Sequence, residues 1–391
     1  MYAFPAKRVA NIFRAGRRRP SLSGNLRRHL LFACRMAQAQ KHESLLSEVF
    51  PVSISRIFDV AGADRRLGSF RWFGGHICRP SFQERMVPLS LDSRHVGVIG
   101  ATSLVGRAAL AVFSEHFERV SAYSRRPQAP SEMPNVQWKL LFPPGKSVGT
   151  DVSRKSEDIP CWLCAAPLWI LPDYFPMLEE QGARRVVALS STSRFTKTTS
   201  ASKDEKATAL KLIDGEQRLQ QWAERQGIEW VILRPTLIYG FGRDKNISEL
   251  ALLICRFRFF PLPGPSNGLR QPVHASDIAT ACLAALKKTK VANRAYNLSG
   301  GETLTYREMV SRIFESLGLR PRFLTMSPSF IYMLQMLLKA FLRYRHWNTS
   351  MVDRLNADLV FDHSDAARDL DFSPRAFRLT RDDLPLSKIR F

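Results

Sequence analysis

The first 42 residues contain no aspartate or glutamate, although they carry ten lysines and arginines. An acid-free start rich in Arg and Ser, with Leu30, Leu31 and Phe32 among the basic residues, has the composition of an organelle-targeting presequence. A disordered basic arm, or an extension from an upstream start codon, has the same composition. Long apolar runs are missing as well: no stretch reaches the roughly 18 residues of a membrane-spanning helix. The most apolar one, 330–342, reads as a packed C-terminal helix, with peripheral membrane contact as the alternative. Cysteine is scarce. Six thiols, Cys34, Cys78, Cys161, Cys164, Cys255 and Cys282, spread over 391 residues exclude a disulfide framework and point to a reducing compartment. Cys161 and Cys164 form a C-x-x-C, but in the apolar setting of a strand, where residues three apart face opposite ways, they read as buried core thiols.

Acidic residues are outnumbered overall, 35 against 58 lysines and arginines, giving a formal charge of +23. Nearly half of that excess sits on the first 42 residues; residues 43–94 hold seven basic against six acidic, and the rest 41 against 29. Past the start, no basic stripe with interleaved aromatics stands out, so the folded part is not expected to bind nucleic acid. Short apolar pieces and the aromatics Phe70, Trp72 and Phe73 lie within 43–93 without a clear period, and 1–93 reads as one appendage.

From His95 onward the texture changes to alternating strand and helix signals. Strands are expected at 96–99, 119–123, 136–141, 162–166, 185–190 and 229–233, and helices at 104–113, 173–181 and 206–226. That alternation is the pattern of βαβ units, and the run Val186, Val187, Ala188, Leu189 suits a parallel strand buried on both faces. The fold class is therefore α/β, a Rossmann-type doubly wound parallel sheet. Beyond it, Phe259 to Pro265 reads as a loop by its proline and glycine content, and helices follow at 276–286 and 306–317. The division is 1–93 appendage, 94–240 dinucleotide-binding domain, and 241–391 a smaller C-terminal part interleaved with it.

Residues 96 to 107, Val-Gly-Val-Ile-Gly-Ala-Thr-Ser-Leu-Val-Gly-Arg, run from an apolar strand through glycines into a helix. This arrangement presents backbone N–H groups to a dinucleotide pyrophosphate. Ser103 stands where a G-x-x-G-x-x-G loop has its middle glycine, and a Cβ there is expected to crowd the phosphates.

Four later blocks carry a resemblance. Leu233-Arg234-Pro235-Thr236-Leu237-Ile238-Tyr239-Gly240, Gln271 to Ala279, Tyr296 to Glu302, and Asp362 to Arg375 are similar, in order, to the "LRP..vYG", "fvhVdDva", "yNvgsge" and "D.skar.eLGf.Pr" segments of the extended or atypical short-chain dehydrogenases, the NAD-dependent epimerase/dehydratase family. The resemblance spans about 95–376 and implies that the C-terminal part caps the substrate. It places Gly100, Ala101, Thr102, Leu104, Val105 and Gly106 on the pyrophosphate, Ala165, Ala166 and Pro167 beside the adenosine, and Pro235 and Thr236 near the nicotinamide. Strand two ends in Ser124-Arg125-Arg126 where an NAD-type site has an acid for the ribose 2′-OH; two guanidinium groups suit a 2′-phosphate, so NADP is expected, with NAD as the alternative. Arg270 falls where family members set an arginine on the diphosphate of a nucleotide-sugar. His274 reads as structural, and no metal is expected.

Catalysis is where the chain departs from the family. Its members pair a Ser or Thr with Tyr-x-x-x-Lys on the next helix, the lysine lowering the tyrosine pKa so that it serves as acid or base. Ser190, Ser191 and Thr192 match the first element, with Thr192 at the hydroxyl position. Aligning Glu216 with the family's helix glutamate puts Thr208 at the tyrosine and Leu212 at the lysine; a slip of one residue gives Ala207 and Lys211. Lys197, Lys203, Lys206 or Tyr239 could supply a proton-handling group instead. Two functions follow: hydride transfer with a small-molecule substrate such as a nucleotide-sugar, or a noncatalytic dinucleotide-binding accessory subunit or sensor. The compartment expected is the cytoplasm, or the mitochondrial matrix if 1–42 is a presequence.

Overall fold

A computed structural model describes residues 94–142, 157–198, 200, 202–264, 266–326 and 355–386. All lie in one compact unit, Arg79–Phe391. The expectations for the appendage 1–93, up to Arg94, and for the helix 330–342 fall outside the described residues.

Seven strands form the central sheet: β1 (His95–Ile99), β2 (Arg119–Ser124), β3 (Val136–Leu140), β4 (Cys161–Cys164), β5 (Arg185–Leu189), β6 (Glu229–Pro235) and β11 (Arg294–Leu298). Their order is β11-β6-β5-β4-β1-β2-β3, every neighbouring pair parallel. The order reverses direction between β1 and β4, the crevice where an open α/β sheet receives its ligand at the carboxyl ends of the strands. The element bounds follow the alternation read from the sequence closely. The third, fourth and fifth strands are each one residue shorter than expected, the fourth because Ala165 and Ala166 already turn away from the sheet.

Each face is covered because every inner strand is apolar on both sides. One face packs Val96, Val98, Val120, Ala122 and Leu163 under α1 (Leu104–Ser114) and α6 (Ala275–Lys287), which lie against each other. The other face sets Ile99, Tyr123 and Trp162 under a 3-10 turn (Leu168–Tyr174), α2 (Phe175–Glu180) and α4 (Lys203–Gln226), with the Phe175 and Trp222 rings stacked 4.0 Å apart. Pro172 lies inside the 3-10 turn, which is why the expected helix 173–181 begins as 3-10 and becomes α-helical only at Phe175. Cys161 and Cys164 lie on opposite faces, both buried, and burial pushes the Cys164 thiol up to about 12. Neither is a nucleophile at neutral pH.

The sheet is tied to α6 by Arg185, which is fully buried at the start of β5. Its guanidinium donates to the carbonyls of Leu286 (3.0 Å) and Lys288 (2.7 Å) and through Nε to Glu229 (2.7 Å). A cation therefore sits on the unsatisfied carbonyls that end α6, where the helix dipole is negative.

After α3 (Ser193–Thr196), α4, β6 and β7 (Ile238–Tyr239), the chain builds a second, smaller core on α5 (Ile247–Phe257) and α7 (Tyr306–Ser316). β7 pairs with β10 (Val273–His274), β9 (Leu269–Arg270) with β12 (Leu304–Thr305), and β8 (Phe260–Pro263) with β13 (Phe323–Met326). The strand β8 corrects the loop expected at 259–265. Pro261 and Pro263 are two apart, so both missing donors fall on the side away from β13, while the Phe260 N–H, on the paired side, donates to the Arg322 carbonyl at 2.8 Å. The interleaving is visible in β11, which leaves the C-terminal part to join the central sheet beside β6. The last helix, α8 (Ser364–Leu370), packs on β11.

Candidate functional site

The loop after β1 turns at Gly100, whose φ of +79° places it in the left-handed region and whose flank faces the turn after β4: a Cβ there would lie 2.5 Å from the Ala166 amide nitrogen. Gly106, in the first turn of α1, lies so close under the loop that a Cβ would overlap the Gly100 carbonyl oxygen. Loop, helix and strand are therefore packed backbone to backbone. Ser103 keeps its Cβ at this bend but turns its hydroxyl away from the loop. Its Oγ accepts from the Gly106 N–H at 3.0 Å, making Ser103 the N-cap of α1, with the side chain folded back over its own helix. The amides of Leu104 and Val105, the first two of the helix, have no acceptor within it and remain for an anion. Ala101 and Val105 are buried, whereas Thr102 is exposed.

At the end of β2 the buried Ser124 accepts from the Arg126 N–H at 3.2 Å, shaping a bend that leaves Arg125 and Arg126 exposed. Among the described residues neither guanidinium is paired with a carboxylate. Across the crevice, Ala165 donates its N–H to the Ile99 carbonyl at 2.8 Å, and Ala166 and Pro167 continue at its edge. Pro167 is exposed, and the Arg125 charge acts on Tyr174 in the turn that follows. The structure thus sets the loop after β1, the arginine pair after β2 and the turn after β4 at the carboxyl ends of three neighbouring strands.

On the other side of the switch point, Ser190 and Thr192 follow β5 and are pinned to β6: the Ser190 N–H donates to Leu233 O at 2.8 Å and the Thr192 N–H to Pro235 O at 3.1 Å. The Thr192 hydroxyl, buried, donates to the same Pro235 carbonyl at 3.3 Å. Thr236 donates from Oγ1 to Gln271 O at 2.5 Å and from its N–H to Leu298 O, so β6, β10 and β11 converge beneath it. Thr208, Leu212 and Glu216 form one stripe of α4 at helical spacing. Thr208 donates to the Asp204 carbonyl one turn back, and Leu212 is buried. Lys197 lies 3.8 Å from Glu205, and Lys203 and Lys206 are exposed.

Glu216 was legible in the sequence only as an alignment marker, yet it is the hub of this side. Its carboxylate, 1% exposed, accepts from Ser190 Oγ (2.5 Å), from Arg234 Nε and Nη2 (2.6 Å to the latter), and from Arg194 on α3. Arg194 and Arg234 both lie against the Phe195 ring, at 5.2 and 5.4 Å from its centroid. A glutamate on an otherwise apolar helix face was the one sequence signal that could have pointed to this cluster.

Arg270 is buried, donates through Nη1 to the Leu269 and Ala357 carbonyls at 2.7 Å, and lies over the Tyr306 ring. Its backbone neighbour Gln271 offers the carbonyl that accepts from Thr236 Oγ1. His274 ends β10 as the N-cap of α6: Nδ1 accepts from the Ser276 N–H, and Nε2 donates to Asp383 Oδ1 at 3.0 Å. This pair clasps the C-terminal segment to α6 below a cleft of about 530 Å³ lined by Phe241, Arg375 and Arg378. Burial opposes ionisation of Asp383, but hydrogen bonds from His274 and from the Thr380 N–H and O–H outweigh it and hold the carboxyl down, at about 2 against an ordinary 3.8. A depressed folded-state pKa gives stability that is complete above about pH 4 and lost as pH falls toward 2. Asp383→Asn is accordingly expected to cost about 2 kcal/mol at neutral pH and to flatten the acid limb of the stability profile, measured by denaturant unfolding between pH 2 and 7. An unchanged acid limb in the variant would contradict it.

Residues 175–299 match the family model described as NAD dependent epimerase/dehydratase family. Among curated proteins, the chain is 26% identical over 161 residues to UDP-glucose 4-epimerase of Vibrio cholerae, covering 41% of this chain and 47% of that protein. It is 28% identical over 96 residues to subunit 9 of the NADH dehydrogenase [ubiquinone] 1 alpha subcomplex, mitochondrial, of Arabidopsis thaliana, covering 24% of each. The chain thus spans less than half the length of the curated relatives it matches. Solved epimerases share its fold, among them the UDP-glucuronic acid 4-epimerase of Bacillus cereus in complex with NAD, at a TM-score of 0.51, 16% identity, and coverage of 74% of this chain and 95% of that one. The fold is the Rossmann-like one of these solved epimerases, and the epimerase/dehydratase family model matches residues 175–299 of it.

Proposed function

We propose that this chain binds a nicotinamide dinucleotide, NADP(H) in preference to NAD(H), across the crevice between β1 and β4, and transfers hydride to or from a nucleotide-linked sugar. The observation that carries the reading is the backbone-to-backbone cradle of Gly100 and Gly106, which leaves the first amides of α1 facing outward while the Ser103 hydroxyl is turned into the helix cap. Arg125 and Arg126, exposed beside it and without a carboxylate partner among the described residues, support the 2′-phosphate. A bound dinucleotide would accept the hydride when the sugar is oxidised and give it when the sugar is reduced. The chain's part is to hold the nicotinamide side against Pro235 and Thr236 and to orient a substrate oxygen at Thr192, whose hydroxyl must turn from the Pro235 carbonyl to reach it.

A second reading, a noncatalytic dinucleotide-binding subunit or sensor, is favoured by one observation: neither register on α4 supplies the tyrosine, whose place falls to Thr208, bonded to the Asp204 carbonyl, or to Ala207. Titration calorimetry with NADPH and NADH, followed by incubation with UDP-sugars under product chromatography, separates the two. We expect NADPH to bind at least about tenfold more tightly than NADH, and Arg125→Ala with Arg126→Ala to erase that difference, since one or two charge-assisted bonds are worth more than 1.4 kcal/mol. Equal affinities in the unmodified protein would overturn the cofactor preference. Tight NADPH binding with no sugar product would leave the noncatalytic reading standing.

A further inference from the structure

Glu216 brings one negative charge to the ends of β5 and β6, and Arg194 and Arg234 bring two positive ones. Among the described residues the charges acting on Arg194 are Glu216, which attracts it, and Arg234, which repels it, and desolvation lowers its pKa. The cluster is poorly hydrated, with the Arg194 side chain 21% exposed and that of Arg234 14%. A partly buried surplus cation is costly unless an anion joins it.

Arg194 has the geometry to receive one. Only Nη1 reaches Glu216; Nε is buried and has no hydrogen-bond partner, so the Nε–Nη2 edge, the side of a guanidinium that grips a carboxylate with two parallel bonds, is left unpaired among the described residues and is reached once the Phe195 ring beside it turns aside. Phe195, 47% exposed, lies against that guanidinium, and Phe361 of the C-terminal part is 6.1 Å from Phe195. Arg194 therefore stands two residues past Thr192, at the seam between the dinucleotide-binding sheet and the part that caps it. Arg234, by contrast, gives Glu216 both Nε and Nη2 and has no such edge free.

We infer that Arg194 selects the substrate, gripping a carboxylate on the sugar, so that the substrate is a nucleotide-linked sugar acid. This rests on the reading of the crevice as a nucleotide-sugar site, and the test separates the two. UDP-glucuronic acid and UDP-glucose, which differ in that carboxylate, are titrated calorimetrically into the full chain with and without saturating NADPH. The unmodified protein should bind the acid at least about tenfold more tightly, Arg194→Met should abolish the preference, and Arg194→Lys, which keeps the charge without the fork, should keep part of it. NADPH affinity should be the same in all three. The preference in the unmodified protein should also shrink as salt is raised, which reports on the interaction even if a variant folds poorly. Equal affinity for the two sugars, no binding of the acid, or a preference that survives in Arg194→Met overturns the assignment. Loss of NADPH binding by the unmodified protein would instead strike the dinucleotide reading, with the sugar titration made without NADPH still deciding on Arg194.

Discussion

Gly106→Ala is expected to weaken NADPH binding by at least about 100-fold while leaving the protein folded. The added methyl would overlap the Gly100 carbonyl and come within 2.9 Å of Ala101 Cα, both backbone atoms that cannot rotate aside as a side chain would. The loop has to lift from the helix, by about the ångström that is enough to misplace donors aimed at a bound group. Two consequences compound. The first amides of α1 lose their common aim, and the Ser103 cap on the Gly106 N–H is stretched. Overpacking of this kind costs about 1–3 kcal/mol of stability, which a domain of this size survives. Calorimetry and thermal melting on the same preparation distinguish a folded, non-binding variant from an unfolded one. A folded Gly106→Ala protein with unaltered NADPH affinity would mean that the dinucleotide does not lie on this loop.

Ser103 shows how much of that loop its spacing leaves unsaid. A serine in place of a glycine reads as a steric obstacle when only the spacing is known, because where its side chain points is not written in the motif. In three dimensions the residue is the last before α1, and an N-cap position draws a hydroxyl toward the orphan N–H groups of the first turn. The strands were legible for a simpler reason: runs such as Val186 to Leu189 are apolar on both faces, which only a covered parallel strand needs. Pro261 and Pro263 misled in the opposite direction, since proline argues against a strand until its spacing is matched to the alternation of donors in a two-stranded ladder. Glu216 marks the limit of block matching. Used only to set a register, it proves to join α3, the residue after β5 and β6 to α4. Position in a motif reports the backbone; which partner a long polar side chain finds depends on segments remote in sequence.

Glu216→Gln is expected to be the most destabilising single change on this side of the sheet, at about 3–5 kcal/mol. The carboxylate is almost fully buried and accepts from Ser190, Arg194 and Arg234, so the amide, which keeps the shape, removes the only anion and leaves two guanidinium groups facing each other in a poorly hydrated place. Removing one member of a buried ionic cluster costs that much because the remaining charges stay desolvated and unpaired. The melting temperature should fall on the order of 10 °C. Arg194→Met alone should cost far less, since Glu216 keeps its paired bonds from Arg234 Nε and Nη2. The double variant Glu216→Gln with Arg194→Met should then be more stable than Glu216→Gln, because it deletes one of the two stranded cations; a double-mutant cycle by urea unfolding measures that coupling, expected at more than about 1 kcal/mol. A Glu216→Gln protein within about 1 kcal/mol of the unmodified one would show that water reaches the cluster, and the surplus charge assigned to Arg194 would then lose its force.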